Sequence, residues 1–257
     1  MLSGDRVFVG VGAGERLNEQ AFGGRWPSVG ERRARLEEAI GILRDLWAGK
    51  LVSRRGDHFA VEHLQLWTRP ATPPPLFVAA SGVRSAELAG RVGDGLIAVT
   101  PDRRIVEVFR GSGGEGKPCI GQLHISLAAT IDSAVEQAWE WWPHGVVPPA
   151  LLSELARPTD FEVTAQAIGR DRIGDTVVCA TDAAPIHAAI ARFAGAGFDT
   201  VYLHQVGPDQ DRLVRLARDE LLTERQAGTR NGSSGRVRVK SAISAAWSDG
   251  RSIPRSM

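Results

Sequence analysis

Cysteine is scarce: Cys119 and Cys179 are the only two in 257 residues, and no C-x-x-C joins them. A disulfide framework and a cysteine-built zinc knuckle are therefore excluded, and two reduced thiols in a cytoplasmic protein are the expectation. No apolar run approaches the roughly 20 residues that cross a bilayer, and no charged segment leads into an apolar one at the N-terminus. No membrane partner is expected. Charge of either sign is not in surplus, with 31 Lys and Arg against 30 Asp and Glu. A nucleic-acid partner would need a basic face that this balance does not supply. The common catalytic signatures G-x-S-x-G, the P-loop and H-E-x-x-H are missing as well. Six histidines are present, but none stands at metal-ligand spacing, so no metal is expected.

What the chain does have is a regular alternation of apolar strands and amphipathic helices. Five main strands are expected at Arg6–Val11, Leu76–Ala80, Leu96–Thr100, Ile120–Ala129 and Thr200–Gln205. Each is largely apolar, as when both faces are covered, which is the pattern of parallel βα units. Ser28 followed by Glu31 has capping-box spacing and opens a helix ending at Gly49. His58–Trp67 alternates and reads as a hairpin arm, and residues 143–174 read as an insertion holding one helix. Five strands suit an open doubly wound sheet and eight would close a barrel; periodicity leaves both open. Beyond Leu222 the sequence turns to Ser, Gly and Arg without period, so residues 223–257 are expected to be a disordered tail.

Two turns carry chemistry. In "RVFVGVGAGERLNE", Gly10, Gly12 and Gly14 strip side chains from a strand end, and Glu15 and Asn18 follow. Such stripping either lets something approach the backbone closely or eases a tight barrel strand that holds no ligand; spacing leaves both open, and Glu15 with Asn18 tilts the reading toward a site. It is not a dinucleotide fingerprint, because Glu15 occupies the position of the third glycine and its charge opposes a pyrophosphate. In "AASGVRSAELAGR", Ser81 and Gly82 lead from a strand into a helix whose free N–H groups suit an anion, with Arg84 in the first turn. His204 near the end of the last strand is read as a structural histidine or a site wall. Trp139, Trp141 and Trp142 are read as helix packing or a pocket wall.

These two turns, with "GGEGKP" and "VYLHQVGPDQ", occur in series and resemble the luciferase-like monooxygenase superfamily, in its branch of coenzyme F420-dependent glucose-6-phosphate dehydrogenase-like oxidoreductases. The resemblance implies an α/β fold, a TIM (β/α)8 barrel of the luciferase-like type, here partial and lacking the first three βα units. It implies coenzyme F420 as cofactor, or FMN in the alternative monooxygenase reading, with hydride passing between the deazaflavin and a small-molecule alcohol or carbonyl substrate. Glu15 matches the catalytic carboxylate. Ala13, Gly14, Asn18, Ser81, Gly82, Arg84 and Ser85 match cofactor contacts. Asp102 stands where the sugar-phosphate dehydrogenase has a phosphate-binding lysine, with Arg103 and Arg104 as the nearest substitutes. The domain expectation is a barrel portion over residues 1–222 and a tail over 223–257. As such a fragment the chain is expected to be inactive, and a non-catalytic, partner-dependent remnant is the competing reading. A homodimer is left open.

Overall fold

The computed structural model describes residues 7–222 and the backbone of residues 238–241. Its elements, in order, are β1 (Val9–Val11), α1 (Arg16–Glu19), α2 (Val29–Trp47), β2 (Val52–Arg55), β3 (Ala60–Leu64), β4 (Leu76–Ala79), α3 (Val83–Val92) and β5 (Gly95–Ala98). There follow α4 (Arg103–Phe109), β6 (Cys119–Leu127), α5 (Ile131–Trp141), α6 (Pro149–Leu152), α7 (Pro158–Ile168), β7 (Val178–Ala180), α8 (Ala183–Ala196), β8 (Thr200–Gln205), α9 (Gln210–Leu216) and β9 (Arg238–Ser241). All five expected strands form, the first shortened at its start.

Six of these strands lie side by side in the order β1-β4-β5-β6-β8-β9, every pair parallel. The long β6 divides its edge, pairing with β8 from Ile120 to Ile125 and with the short β7 from Ile125 to Leu127. The sheet curls. Phe8, just before β1, meets Phe77 of β4 at 5.0 Å and also Tyr202 of β8 at 6.2 Å, although three strands stand between β1 and β8 in the order. A curled parallel sheet with helices on its convex side is a portion of a (β/α)-barrel wall, which settles the choice that periodicity left open.

The convex side is the core. Leu76, Val78, Leu96, Ile125, Val201 and Leu203 are fully buried there against Ala86, Ala89, Phe109, Ile186 and Phe193 of the helices. Close packing is enforced by small residues. A Cβ on Gly121 would strike the Phe193 ring, so the helix α8 sits directly on β6. The concave side is more open: Phe8 is 38% and Val99 47% exposed. Locally the helices obey their caps. The Ser28 hydroxyl accepts from the Glu31 N–H at 3.3 Å to start α2, and Asp182 accepts from the Ala184 N–H at 2.9 Å to start α8.

Three expectations need adjustment. The insertion holds two helices, α6 and α7, because Pro149 and Pro158 each start one and Ser153 to Arg157 break between them. The hairpin arm at His58–Trp67 has its partner in β2, paired antiparallel beside the main sheet. Of residues 223–257, expected to be unstructured, Arg238–Ser241 pairs in parallel with β8 from Thr200 to Leu203; the remainder lies outside the described residues. Parallel pairing is backbone chemistry and needs no apolar period, so the tail's composition carried no sign of it.

Candidate functional site

All parallel strands point their C-terminal ends to one side, and the loops there build a cavity of about 1030 Å³. In parallel sheets that side is where ligands bind. One wall begins at β1. Gly14 (φ +84°) takes a left-handed conformation that turns the chain so that Glu15 becomes the N-cap of α1. The Glu15 side chain makes no capping bond, and it lines the cavity with its carboxylate exposed. A Cβ on Gly12 would stand 3.6 Å from that of Ala79, so the ends of β1 and β4 form one continuous stripped surface. Beyond β4, Gly82 is the N-cap of α3, again with no side-chain cap, and Ser81 and Arg84 are exposed. Ala13, Gly14 and Asn18 thus follow β1, and Ser81, Gly82, Arg84 and Ser85 follow its parallel neighbour β4. These residues border the cavity's Glu15 side but do not line the cavity itself.

The opposite wall is aromatic. On β6 and β8 the polar residues Gln122, His124, Tyr202 and His204 alternate with buried Leu123, Ile125, Val201 and Leu203. Register puts His124 beside His204, their rings 5.2 Å apart. The Gln122 amide nitrogen lies 3.4 Å from a ring nitrogen of each. Trp142, at the end of α5, stacks against both, at 5.1 Å from His124 and 5.0 Å from His204, and His144 closes over it at 4.4 Å. His124, Trp142 and His144 line the cavity.

Burial disfavours the imidazolium form in this cluster. It pushes His124 down to about 4, helped by the neighbouring His204 and His144. It also lowers His204 and His144, and in His144 it outweighs the opposing pull of the Glu15 carboxylate. The two walls therefore feel each other electrostatically. All three rings are neutral near pH 7.

The insertion is bound across to the β1 side. The Arg16 N–H donates to the Ser153 carbonyl at 3.1 Å, and the Gln20 amide donates to the Ala156 carbonyl. Glu154 accepts from Trp26 at 2.8 Å and from the buried Arg32 at 2.5 Å, while the Arg32 guanidinium lies 4.2 Å over the Trp26 ring. This ties the cavity's roof to the segment that carries Glu15.

Of the residues singled out in the sequence, Glu15 lines the cavity, whereas His124 and His144, which also line it, gave only weak signals there. The usable signal was the interruption of "QLHIS" and "VYLHQ" by polar residues at every second position, which marks one strand face as facing away from the core. Arg103, a proposed phosphate substitute, is turned elsewhere, donating to the Gly195 carbonyl at 2.6 Å, and Asp102 caps α4 at the Arg104 N–H. Among the described residues no cluster of His, Cys, Asp or Glu could hold a metal, and no helix is long and apolar enough to cross a membrane. Both cysteines are free.

With this geometry in hand, the comparisons with known proteins are direct. The chain is 30% identical over 240 residues to an F420-dependent glucose-6-phosphate dehydrogenase of Amycolatopsis mediterranei (strain U-32), covering 88% of this chain and 72% of that protein. It is 52% identical over 102 residues to the F420-dependent hydroxymycolic acid dehydrogenase of Mycobacterium tuberculosis (strain ATCC 25618 / H37Rv), a match covering 40% of this chain and 28% of that one. Among solved structures, an F420-dependent secondary alcohol dehydrogenase in complex with an F420-acetone adduct superposes with a TM-score of 0.75 at 30% identity, over 85% of this chain and 69% of that one. The coenzyme F420-dependent tetrahydromethanopterin reductase of Methanopyrus kandleri, at 18% identity and a TM-score of 0.64, shares the fold. The model of the luciferase-like monooxygenase family matches residues 1–200, and the chain belongs to that family.

Proposed function

We propose that this protein is a coenzyme F420-dependent oxidoreductase acting between an alcohol and the corresponding carbonyl compound. The observation that carries the reading is the position of Glu15, a carboxylate set by the Gly14 turn beside a strand end without side chains, facing a cavity. Relatives that resemble the chain as a whole are F420-dependent by name, which supports the reading.

The residues present fit such a cofactor. A flat ring needs a wall with little projecting from it, and Gly12 beside Ala79 at the strand ends supplies one. An anionic tail needs donors, and the uncapped start of α3 at Gly82, with Ser81, Ser85 and Arg84 around it, supplies them. Ala13, Gly14 and Asn18 complete the set on the β1 side. When bound there, F420 supplies a carbon that takes up or gives back a hydride. Glu15 holds or moves a proton at its carboxylate oxygen as the charge of its surroundings changes during that transfer. Leu17, Val147 and Phe161 give the cavity an apolar lining. The same reading takes residues 1–222 as one barrel-type unit, with residues 143–174 inserted as its roof and residues 223–257 outside it.

The test is a fluorescence titration of F420 with the purified 257-residue chain, followed by the same titration with Gly12→Val. Saturable binding that weakens at least tenfold in the variant supports the reading. No binding, or equal binding by the variant, overturns it.

A further inference from the structure

The imidazole–tryptophan wall opposite Glu15 is not used by the cofactor reading. Two cavity-lining histidines flank one tryptophan, and each touches it through its ring face or edge. A neutral imidazole both donates and accepts a hydrogen bond, so it serves a hydroxyl and a carbonyl oxygen alike. Trp142 adds a flat apolar surface between them. His204 and Gln122 stand behind His124 and fix its ring: one packs on its edge and the other reaches its Nε2 at 3.4 Å.

The cavity's charge points the same way. Its lining carries three carboxylates, Glu15, Glu162 and Asp175, the last paired with Arg172 at 2.6 Å, against one lining cation, Arg192, so two carboxylates face one cation. The neutral rings add no positive charge. The arginine nearest the family's phosphate-binding position, Arg103, is spent on the Gly195 carbonyl. A dianionic phosphate in this cavity would meet mostly like charge, and such juxtaposition is how a pocket rejects a wrong partner.

We infer that His124 and His144 are specificity-determining residues that seat the oxygen of an uncharged, apolar-bodied alcohol or ketone against Trp142, and that the cavity discriminates against phosphate esters. This rests on the F420 reading for the reaction, but the binding selectivity is measurable without the cofactor. His204 and Gln122 are positioning residues, acting through the orientation of His124.

The experiment compares cyclohexanol with cyclohexyl phosphate, which share a body and differ in charge. The six histidines are followed by their imidazole C–H resonances in the 257-residue chain, assigned by single substitutions. Cyclohexanol is expected to move the His124 and His144 signals while leaving His58 in place, and to bind at least tenfold more tightly than the phosphate ester. His124→Ala and His144→Ala each weaken cyclohexanol binding at least fivefold, and His58→Ala leaves it unchanged. If His124→Ala fails to fold, His144→Ala at the cavity lining decides the matter. Equal or tighter binding of cyclohexyl phosphate, or cyclohexanol binding that spares both histidines, overturns the inference. Titration of F420 in the same preparation separates the two readings. Alcohol selectivity without F420 binding sinks the cofactor reading alone, and F420 binding without alcohol selectivity sinks this inference alone.

Discussion

The cavity and the strand ends that border it at Glu15 are built from opposite materials. The β1/β4 side carries few projecting side chains at its strand ends, with Gly12 and Gly82 leaving open surface and the Glu15 carboxylate at its edge. The β6/β8 wall and the insertion above it are crowded with rings, His124, His204, Trp142, His144 and Phe161, packed in a chain of contacts between 4.4 and 6.5 Å. A bare wall recognises a flat partner through backbone donors and surface shape. A ring-lined wall recognises a small partner through the few polar atoms its rings leave exposed. On the proposed function, the cofactor belongs to the first side and the substrate to the second, with Glu15 at the border between them.

The largest effect expected from this contrast is in pH dependence, because ionisable rings lie on one wall only. His124 has its folded pKa lowered to about 4, and burial lowers His204 and His144 as well. A base with a lowered folded pKa leaves the unfolded chain holding more protons as the pH falls. Stability is therefore intact above the unfolded histidine value near 6.5 and declines from there toward pH 4. From His124 alone the loss at the bottom of that window is on the order of 3 kcal/mol. Urea denaturation at pH 7.5, 5.5 and 4.5 should show the decline, and His124→Phe should flatten it. A variant slope equal to that of the parent would break the assignment.

Next is Glu15→Gln, which keeps the shape and removes the proton-holding group. In a chain extended by the three βα units that the resemblance implies, turnover with F420 and a secondary alcohol should fall on the order of 10²-fold while F420 affinity stays within a factor of about three. An unchanged rate would remove Glu15 from the chemistry. On the bare wall, Gly12→Val should leave the thermal midpoint unchanged, because its Cβ meets only ordinary contact at 3.6 Å and valine favours strands. Its F420 affinity should nevertheless drop on the order of tenfold, about 1.4 kcal/mol. A stable variant with full affinity would show that the glycines serve folding alone.

The smallest effect concerns the strap between the walls. Arg32 is 3% exposed, its Nε and Nη1 find no partner among the described residues, and Glu154 compensates its charge through Nη2. The Glu154 carboxylate is partly exposed, which screens the pair, so Glu154→Gln should cost about 1 kcal/mol rather than the several that a fully buried pair would lose. Protease sensitivity should rise between Val147 and Arg157, where the insertion loses its anchor. Unchanged protection there would mean the backbone bonds from Arg16 and Gln20 suffice.

The glycine-rich strand end and the helix start after Ser81-Gly82 were legible in the sequence because glycine spacing and helix N-termini are local features. The element order was legible for the same local reason, since capping residues such as Ser28 and Asp182 and apolar periods act within a few residues of themselves. The ring-lined wall was not. His124 and His204 are 80 residues apart and become neighbours only through the β6/β8 register, and Trp142 reaches both only because α5 ends over those strand ends.

By itself, then, the sequence determined the alternating βα order, the glycine-stripped turn with Glu15 and the small-residue helix start, all set by short-range sterics and hydrogen bonding. Only the tertiary structure decided that the sheet curls, that Arg103 turns away to Gly195, that the insertion is strapped over the mouth through Glu154, and that three histidines share a desolvated cluster. Curl, desolvation and long-range register are sums over many strands and helices, so no window of the chain contains them.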